Sequence, residues 1–463
     1  MRTPRWLARC VAVACCLGFA GAPVFAPVLA QAPLPDNVAQ TPAPPPPGQN
    51  ATLDSLRAVR GASIEVRLYT YGPGDAVFER FGHIALAVRD TLTGEDLAFN
   101  WGMFGFGEPN FVWRFLTGDT RYWMEGYNTE AFNAVYRAEN RRIREQRLAL
   151  TPMQRGALYD YVAWNAQEAN KYYRYDYYND NCSTRVRDAL DWVLNGALQS
   201  QWHTAPLERT WRGETARITA DNLPVFVGIH LALGRRADAP LTAWRSAFLP
   251  EHLADALATT RVGNQRLVTA DSVIFAANRA PMPATAPQPV VLAAFIGFGL
   301  AALLYLWAGS SDVPDVPTAS RVSARAEARG AVRSSPRSSS LGLSIVGVLW
   351  YFTGGVLGTA LLLAGTVTKH KPYMGSNMSV LLISPLLLAA ACLWPWRDHA
   401  GRVGKAARAS AALVAISAMM GWLGLVVPGL MQGSMVVALV IAPIHVGFAL
   451  AAWRRQLPPA LRA

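Results

Sequence analysis

Cys182 stands in the run Asn179-Asp180-Asn181-Cys182-Ser183-Thr184-Arg185-Val186-Arg187-Asp188, where the pattern predicts the start of a helix. The chain has five cysteines: Cys10, Cys15, Cys16, Cys182 and Cys392. The first three fall in an expected leader and Cys392 in an apolar span, so Cys182 is a lone thiol in the part expected outside the cytoplasm. Exported proteins usually pair their cysteines or lack them, and an unpaired one there points to nucleophilic catalysis. At a helix start, the macrodipole and the unpaired amides lower a thiol pKa. The same amides can hold an oxyanion in acyl transfer. His83, in Arg80-Phe81-Gly82-His83-Ile84-Ala85-Leu86, supplies a base at the head of a strand. Asn100, before Trp101-Gly102, can fix the imidazole tautomer from the next strand, with Asp176 as a rival orienter. The set follows nucleophile, base and orienter logic.

Plainer readings exist for each residue. A lone cysteine is most often a small buried hydrophobe. His83 can be a satisfied structural histidine and Asn100 a strand-end amide. The polar neighbours Asp180, Asn181, Ser183 and Arg185 argue against an apolar niche for the thiol. No spacing matches a zinc site, so no metal or cofactor is expected. No Gly-x-Ser-x-Gly elbow supports a serine hydrolase.

The elements that must position these groups are legible. Residues 63–70 alternate through Ile64, Val66 and Leu68, and Tyr71-Gly72-Pro73-Gly74 stops the strand. The stretch His83–Asp90 is apolar and β-favouring, and Thr93-Gly94 turns the chain into a paired strand over 96–100. Thr151-Pro152-Met153-Gln154 opens a helix: Thr caps, Pro fits the first position, and Gln can close a capping box. The next helix begins near Cys182, places Val186, Leu190, Val193 and Leu194 on one face, and ends at Asn195-Gly196.

The chain has 463 residues, 52% hydrophobic and 16% charged, with a formal charge of +12. That balance indicates membrane segments. Residues 1–30 read as a secretory signal, with an uncleaved anchor as the alternative. Residues 31–50, with Pro44-Pro45-Pro46-Pro47, read as an extended tether. Residues 51–285 can bury a core, and 289–455 read as a transmembrane bundle. Five spans are expected, over 290–307, 341–363, 380–394, 411–427 and 435–453, the third being the shortest. Arg321, Arg325, Arg329, Arg333 and Arg337, then Arg397, Arg402, Lys405 and Arg408, then Arg454, Arg455 and Arg462 fall on one side of such a bundle. The positive-inside rule makes that side cytoplasmic and sets the soluble domain outside the inner membrane. No nucleic-acid motif accompanies the basic charge, so no nucleic-acid partner is expected.

The chain resembles the Lnb-type lipoprotein N-acyltransferases over about 60–200. The resemblance rests on Phe81-Gly82-His83, Phe99-Asn100-Trp101-Gly102, Glu145-Gln146-Arg147-Leu148-Ala149-Leu150 and, above all, Tyr175-Asp176-Tyr177-Tyr178-Asn179-Asp180-Asn181-Cys182-Ser183-Thr184-Arg185. It implies a thiol acyltransferase with Cys182 and His83 as catalytic residues. Tyr175, Asp176, Asn181 and Arg185 become expected substrate contacts. The histidine-before-cysteine order is similar to circularly permuted NlpC-type papain-like folds, an analogy at the level of fold. The fold class expected is thus α+β, an antiparallel sheet with helices, followed by an all-α membrane bundle. In the bundle, Thr368-Lys369-His370-Lys371-Pro372, Asn377 and Ser384-Pro385-Leu386 resemble the family's His-Pro…Asn…Asn-Pro-Leu segment. Lys371 interrupts it and Ser384 replaces the Asn. His370 and Asn377 are candidates for a substrate or headgroup contact, or parts of a hydrated loop.

Tyr172, Tyr173, Tyr175, Tyr177, Tyr178, Trp113, Phe115, Tyr122 and Trp123 add aromatic weight, as core or as lipid contact. Arg141, Arg142 and Arg144 can meet phosphate or form a solvated face. The expected reaction takes a phospholipid acyl chain onto Cys182 as a thioester. By resemblance, the acceptor is the N-terminal amine of a diacylated lipoprotein. A papain-like cell-wall amidase or peptidase, and a non-enzymatic membrane assembly partner, are the alternatives.

Overall fold

The computed structural model describes residues 42–105, 110–204, 206–309, 337–396, 403–427 and 429–454. The expected signal (1–30) and most of the tether lie outside the described residues, as do Arg321, Arg325, Arg329, Arg333, Arg397, Arg402, Arg455 and Arg462. The described end of the tether is fastened: Arg57 Nη2 donates to Pro45 O at 3.0 Å and Gly48 N to Asp54 Oδ2 at 2.8 Å.

The N-terminal part is α+β. Helix α1 (Ala51–Gly61) leads into β1 (Ile64–Tyr71), β2 (His83–Asp90) and β3 (Asp96–Met103). A short helix, α2 (Phe111–Thr117), precedes β4 (Arg121–Asn128) and α3 (Thr129–Ala138). Then come β5 (Ile143–Leu148), α4 (Pro152–Asn165), β6 (Tyr172–Arg174) and α5 (Cys182–Val193). Helices α6 (Ala197–Trp202), α7 (Trp211–Ile218), α8 (Leu223–Ala232), α9 (Ala243–Ser246) and α10 (Pro250–Thr259) lead to the small β7 (Arg261–Val262) and β8 (Gln265–Arg266), then β9 (Val268–Phe275). One antiparallel sheet of seven strands runs in the order β6-β4-β3-β2-β1-β5-β9.

Period-two alternation sends residues to two layers. Ile64, Val66, Leu68, Ile84, Leu86, Val88, Phe99 and Trp101 share a core with Leu158, Val162, Val186, Leu190 and Val193 of α4 and α5. Tyr69, Tyr71, Ala85, Ala87 and Ala98 face the other way, onto Phe132 and Tyr136 of α3. The capping box at α4 is formed on both sides, Thr151 N to Gln154 Oε1 at 2.9 Å and Gln154 N to Thr151 Oγ1 at 3.2 Å. Asn195 and Gly196 end α5 at φ +52° and +80°, the left-handed region that releases a helix.

The C-terminal part is helical: α11 (Val290–Gly309), α12 (Arg337–Thr366), α13 (Lys371–Met374), α14 (Ser379–Leu382), α15 (Leu386–Leu393), α16 (Lys405–Gly424) and α17 (Met435–Arg454). Among the described residues, α11, the stretch Leu341–Thr366 of α12, α16 and α17 are long and apolar enough to cross a membrane. The expected span at 380–394 is not one helix. It breaks at Ser384-Pro385, because proline lacks an N–H and its ring crowds the preceding turn. The broken pair nevertheless runs antiparallel along α12. A Cβ on Gly358 would fall 1.6 Å from Ile383 O, and at the far end Trp394 Nε1 donates to Leu343 O at 3.2 Å.

The boundary expected near 285 is less simple than composition suggests. Val227 and Leu231 of α8 pack into a core made by Leu382, Ile383, Ala418, Val437 and Ile441 of the bundle. The segment after α12 fastens the two parts from the other side. Lys369 N donates to Thr117 O at 2.9 Å, and the Lys369 ammonium pairs with Asp119. Gly234 N donates to Tyr373 O at 2.9 Å.

Candidate active site

The site lies where the β2–β3 ladder opens. Its register runs from Arg89↔Asp96 to Leu86↔Phe99 and stops short of Ile84 and His83. Across the opening, His83 Nε2 meets Asn100 Oδ1 at 2.5 Å. A carbonyl oxygen only accepts, so this bond assigns the ring proton to Nε2 and leaves the lone pair on Nδ1. Asn100 is buried, and its Nδ2 is held by Met103 Sδ at 3.3 Å. Gly102 closes the other side of the ring. A Cβ there would come within 2.7 Å of His83 Cε1 and 3.2 Å of Asn100 Oδ1. Aromatic rings complete the wall, with Tyr136 parallel to the imidazole at 6.3 Å and Tyr71 at the same centroid distance.

Cys182 is the first residue of α5, and both it and His83 keep part of their surface open. Its sulfur sits against three backbone amides, those of Ile84, Ser183 and Cys182 itself, each of which favours the thiolate. The residue after the histidine thus lends its amide to the thiolate. Burial outweighs the amides and pushes the thiol up to about 12. The sequence-based expectation of a lowered pKa is corrected: the helix start acts as expected, but desolvation among Tyr122, Tyr173, Tyr175 and Tyr177 is the larger effect. Burial likewise drives His83 down to about 4, against the Asn100 bond that raises it, and the Arg141 charge lowers it further. The resting pair is a neutral thiol and a neutral imidazole.

The loop that presents Cys182 is built by its own side chains. Asp176 is buried, and its Oδ1 accepts from Tyr178 N at 3.1 Å, Asn179 N at 3.0 Å and Asn179 Nδ2 at 3.1 Å. Asp176 and Asp180 also exchange backbone bonds of 2.9 Å in each direction. Asp176 is thus committed to the loop, and the partner of His83 is Asn100. Asn181 caps α5: Oδ1 accepts from Ser183 N and Thr184 N at 2.9 Å, and Nδ2 donates to Tyr177 O at 2.8 Å and Phe248 O at 2.9 Å. All four bonding positions of that amide are filled within the protein, which leaves none for the expected substrate contact. Arg185 grips Asp180 through two bonds and lies 4.4 Å over the Tyr173 ring. Tyr175 stacks on Tyr122 at 4.2 Å and remains beside the thiol.

The membrane-segment candidates sit at the joint between the two parts. His370 Nδ1 meets Tyr373 Oη at 2.7 Å, and Nε2 meets Phe115 O at 3.0 Å. Tyr373 in turn packs edge-on against Tyr178 of the cysteine loop at 5.1 Å. Asn377 Nδ2 donates to Leu231 O at 2.7 Å and Ala232 O at 3.0 Å, closing the end of α8, while its Oδ1 accepts from Ser379 N and Gln432 Nε2. Both residues therefore fasten the domain to the bundle.

Two site residues escaped sequence reasoning in part. Sequence reasoning gives Gly102 only as a neighbour of Asn100. It groups Arg141 with Arg142 and Arg144 as a solvated or phosphate-facing set. Arg142 and Arg144 do form surface ion pairs with Glu251, and Arg144 also with Asp255 and Asp271. Arg141 instead is buried, donates to Gly72 O at 3.0 Å, and biases both His83 and Cys182. The residue before it, Asn140, is left-handed at φ +52°. Among the described residues, no group of three or more His, Cys, Asp or Glu could hold a metal ion.

Residues 52–216 match the family model of the Lnb N-terminal periplasmic domain. The matched segment contains every residue of the thiol site and a little over a third of the chain. No curated protein and no solved structure matches the chain. With four helices among the described residues long and apolar enough to cross a membrane, the chain is a membrane protein with a periplasmic domain.

Proposed function

We propose that the Lnb periplasmic domain and its bundle form an inner-membrane thiol acyltransferase. Its thiol takes an acyl chain from phospholipid and passes it to the N-terminal amine of a diacylated lipoprotein. The observation that carries the reading is a thiol set in backbone amides, one of them from the residue after the Asn-oriented His83, in a domain fastened to apolar spans.

In the first step, Cys182 Sγ attacks the ester carbonyl carbon while His83 Nδ1 takes the thiol proton. Negative charge gathers on the carbonyl oxygen, where helix-start amides such as that of Cys182 lower the barrier. The C–O bond breaks, the leaving alkoxide takes the proton from His83, and lysophospholipid departs. The acyl group remains on Cys182 as a thioester. In the second step the acceptor nitrogen attacks the thioester and gives a proton to His83. The C–S bond breaks, and the proton returns to the sulfur. Asn100 holds Nε2–H throughout, so the same nitrogen serves in both steps.

The test is mass spectrometry of a reporter lipoprotein's N-terminal peptide, from cells with wild-type protein or Cys182→Ala. An acyl-sized mass gain that requires Cys182 is the expected result. Equal N-acylation by the Cys182→Ala protein rules the reading out. Release of free fatty acid without any gain on the peptide would assign a hydrolase instead.

A further inference from the structure

Helix α2 is out of keeping with a water-facing surface. It reads Phe-Val-Trp-Arg-Phe-Leu-Thr, and none of its residues is buried. Val112, Trp113, Phe115 and Leu116 are each more than half exposed. Four adjacent large apolar side chains on one short helix make a patch that a soluble face does not tolerate without a partner.

The place of α2 in the fold identifies that partner. Its last turn is bonded to the residues just beyond the membrane span Leu341–Thr366: Thr117 O takes Lys369 N–H, and Phe115 O meets the His370 ring at 3.0 Å. Gly118 packs on the same His370 and Lys369 side chains. Val367, at the end of the span, is itself 75% exposed. The exposed apolar side chains of α2 are thus tied, beside the Lys369–Asp119 pair, to the end of an apolar span, where a bilayer would end. Trp and Phe on a short helix suit that interface.

From α2 a row of rings leads inward. Phe111 lies 6.4 Å from Phe104, Phe104 lies 5.0 Å from Tyr122, and Tyr122 stacks on Tyr175 at 4.2 Å. Tyr122, Tyr175 and Cys182 all pack against the one core shared by the sheet and α5.

We propose that α2 is an interfacial helix, seated in the outer leaflet, and that the ring row behind it guides a phospholipid acyl chain from that leaflet to Cys182. The docking rests on the membrane topology, and the acyl route rests on the acyltransferase reading above.

Two measurements separate these. First, a nitroxide is attached through Trp113→Cys in full-length protein whose native cysteines are replaced, reconstituted in nanodiscs of phosphatidylethanolamine and phosphatidylglycerol. Collisions with oxygen should exceed those with a water-soluble nickel chelate. A label at Leu92, 84% exposed on the β2–β3 turn, gives the water-facing reference. If position 113 is as open to the chelate as position 92, α2 does not dock. Second, Trp113→Glu with Leu116→Glu, in the chain with its own cysteines, should slow acyl transfer from bilayer phospholipid by roughly tenfold or more. Turnover of a water-soluble short-chain acyl ester should stay near wild type. Equal loss on both donors overturns the acyl route. A wild-type protein inactive on both donors refutes the acyltransferase reading, and the nitroxide alone then decides docking.

Discussion

His83 and Asn100 are joined across a gap in the sheet, Nε2 to Oδ1 at 2.5 Å, on strands whose ladder has already opened. The bond fixes which nitrogen can act as base. Asn100→Ala should keep the fold and lower the acylation rate of Cys182 by roughly ten- to a hundredfold, within what acid–base catalysis contributes. Single-turnover acylation with a chromogenic ester measures this directly. An unchanged rate would remove Asn100 from the machinery.

Gly102→Ala tests the same ring from its other side. The added methyl meets His83 Cε1 at 2.7 Å and must push the imidazole out of line. A displacement of this size should reduce acylation by roughly tenfold or more, with little change in thermal midpoint. Comparing rate and melting curve on one preparation checks both halves of the statement.

The pH profile follows from burial. The base must be neutral, and His83 protonates only as pH falls through about 4, whereas an ordinary histidine does so at 6.5. Acylation should therefore persist at pH 5.5 and fall only as the pH drops through about 4. Asn100→Asp adds a carboxylate beside Nε2, which favours imidazolium and should move the acid limb upward. Because the thiol is pushed up to about 12, iodoacetamide should label Cys182 more slowly than free cysteine at neutral pH, and faster only in strong alkali. An acid limb at 6.5 in the wild type would contradict the burial argument.

Asn181→Ala removes a helix cap and strips two backbone carbonyls, Tyr177 O and Phe248 O, of their donor. The loss should be about 1–3 kcal/mol of stability. Asn181→Asp retains the cap oxygen and should fall between the two. Denaturation of the three proteins in one detergent ranks them.

Much of this architecture was readable in advance. The Thr151 capping box, the Asn195-Gly196 stop, the strand opening at His83 and the turn at Gly94 are local signals, and local chemistry decided them. What depended on distant residues was not readable. Asn181 looked like a substrate contact because nothing in the run reveals that Phe248 O waits for its Nδ2. The thiol looks acidic because the helix start is local, while the tyrosines around it stand on β4, β6 and the cysteine loop. Helix α8 falls within the stretch 51–285 expected to bury its own core, yet it packs into the membrane bundle, its apolar residues lying all round it. The break at Ser384-Pro385 was visible as a motif but not as two helices.

The sulfur against the Ile84 amide has one more consequence. Once the thiol carries an acyl group, the sulfur lone pair is drawn toward the thioester carbonyl, the sulfur accepts less well than the resting thiol, and the contact weakens. The Ile84 amide thus becomes an internal gauge of loading: its hydrogen should exchange faster in the thioester than in the free enzyme. Exchange at this backbone position would count loaded molecules without a label on the lipid, and an identical rate in both states would show that the sulfur leaves its seat no differently when charged with cargo.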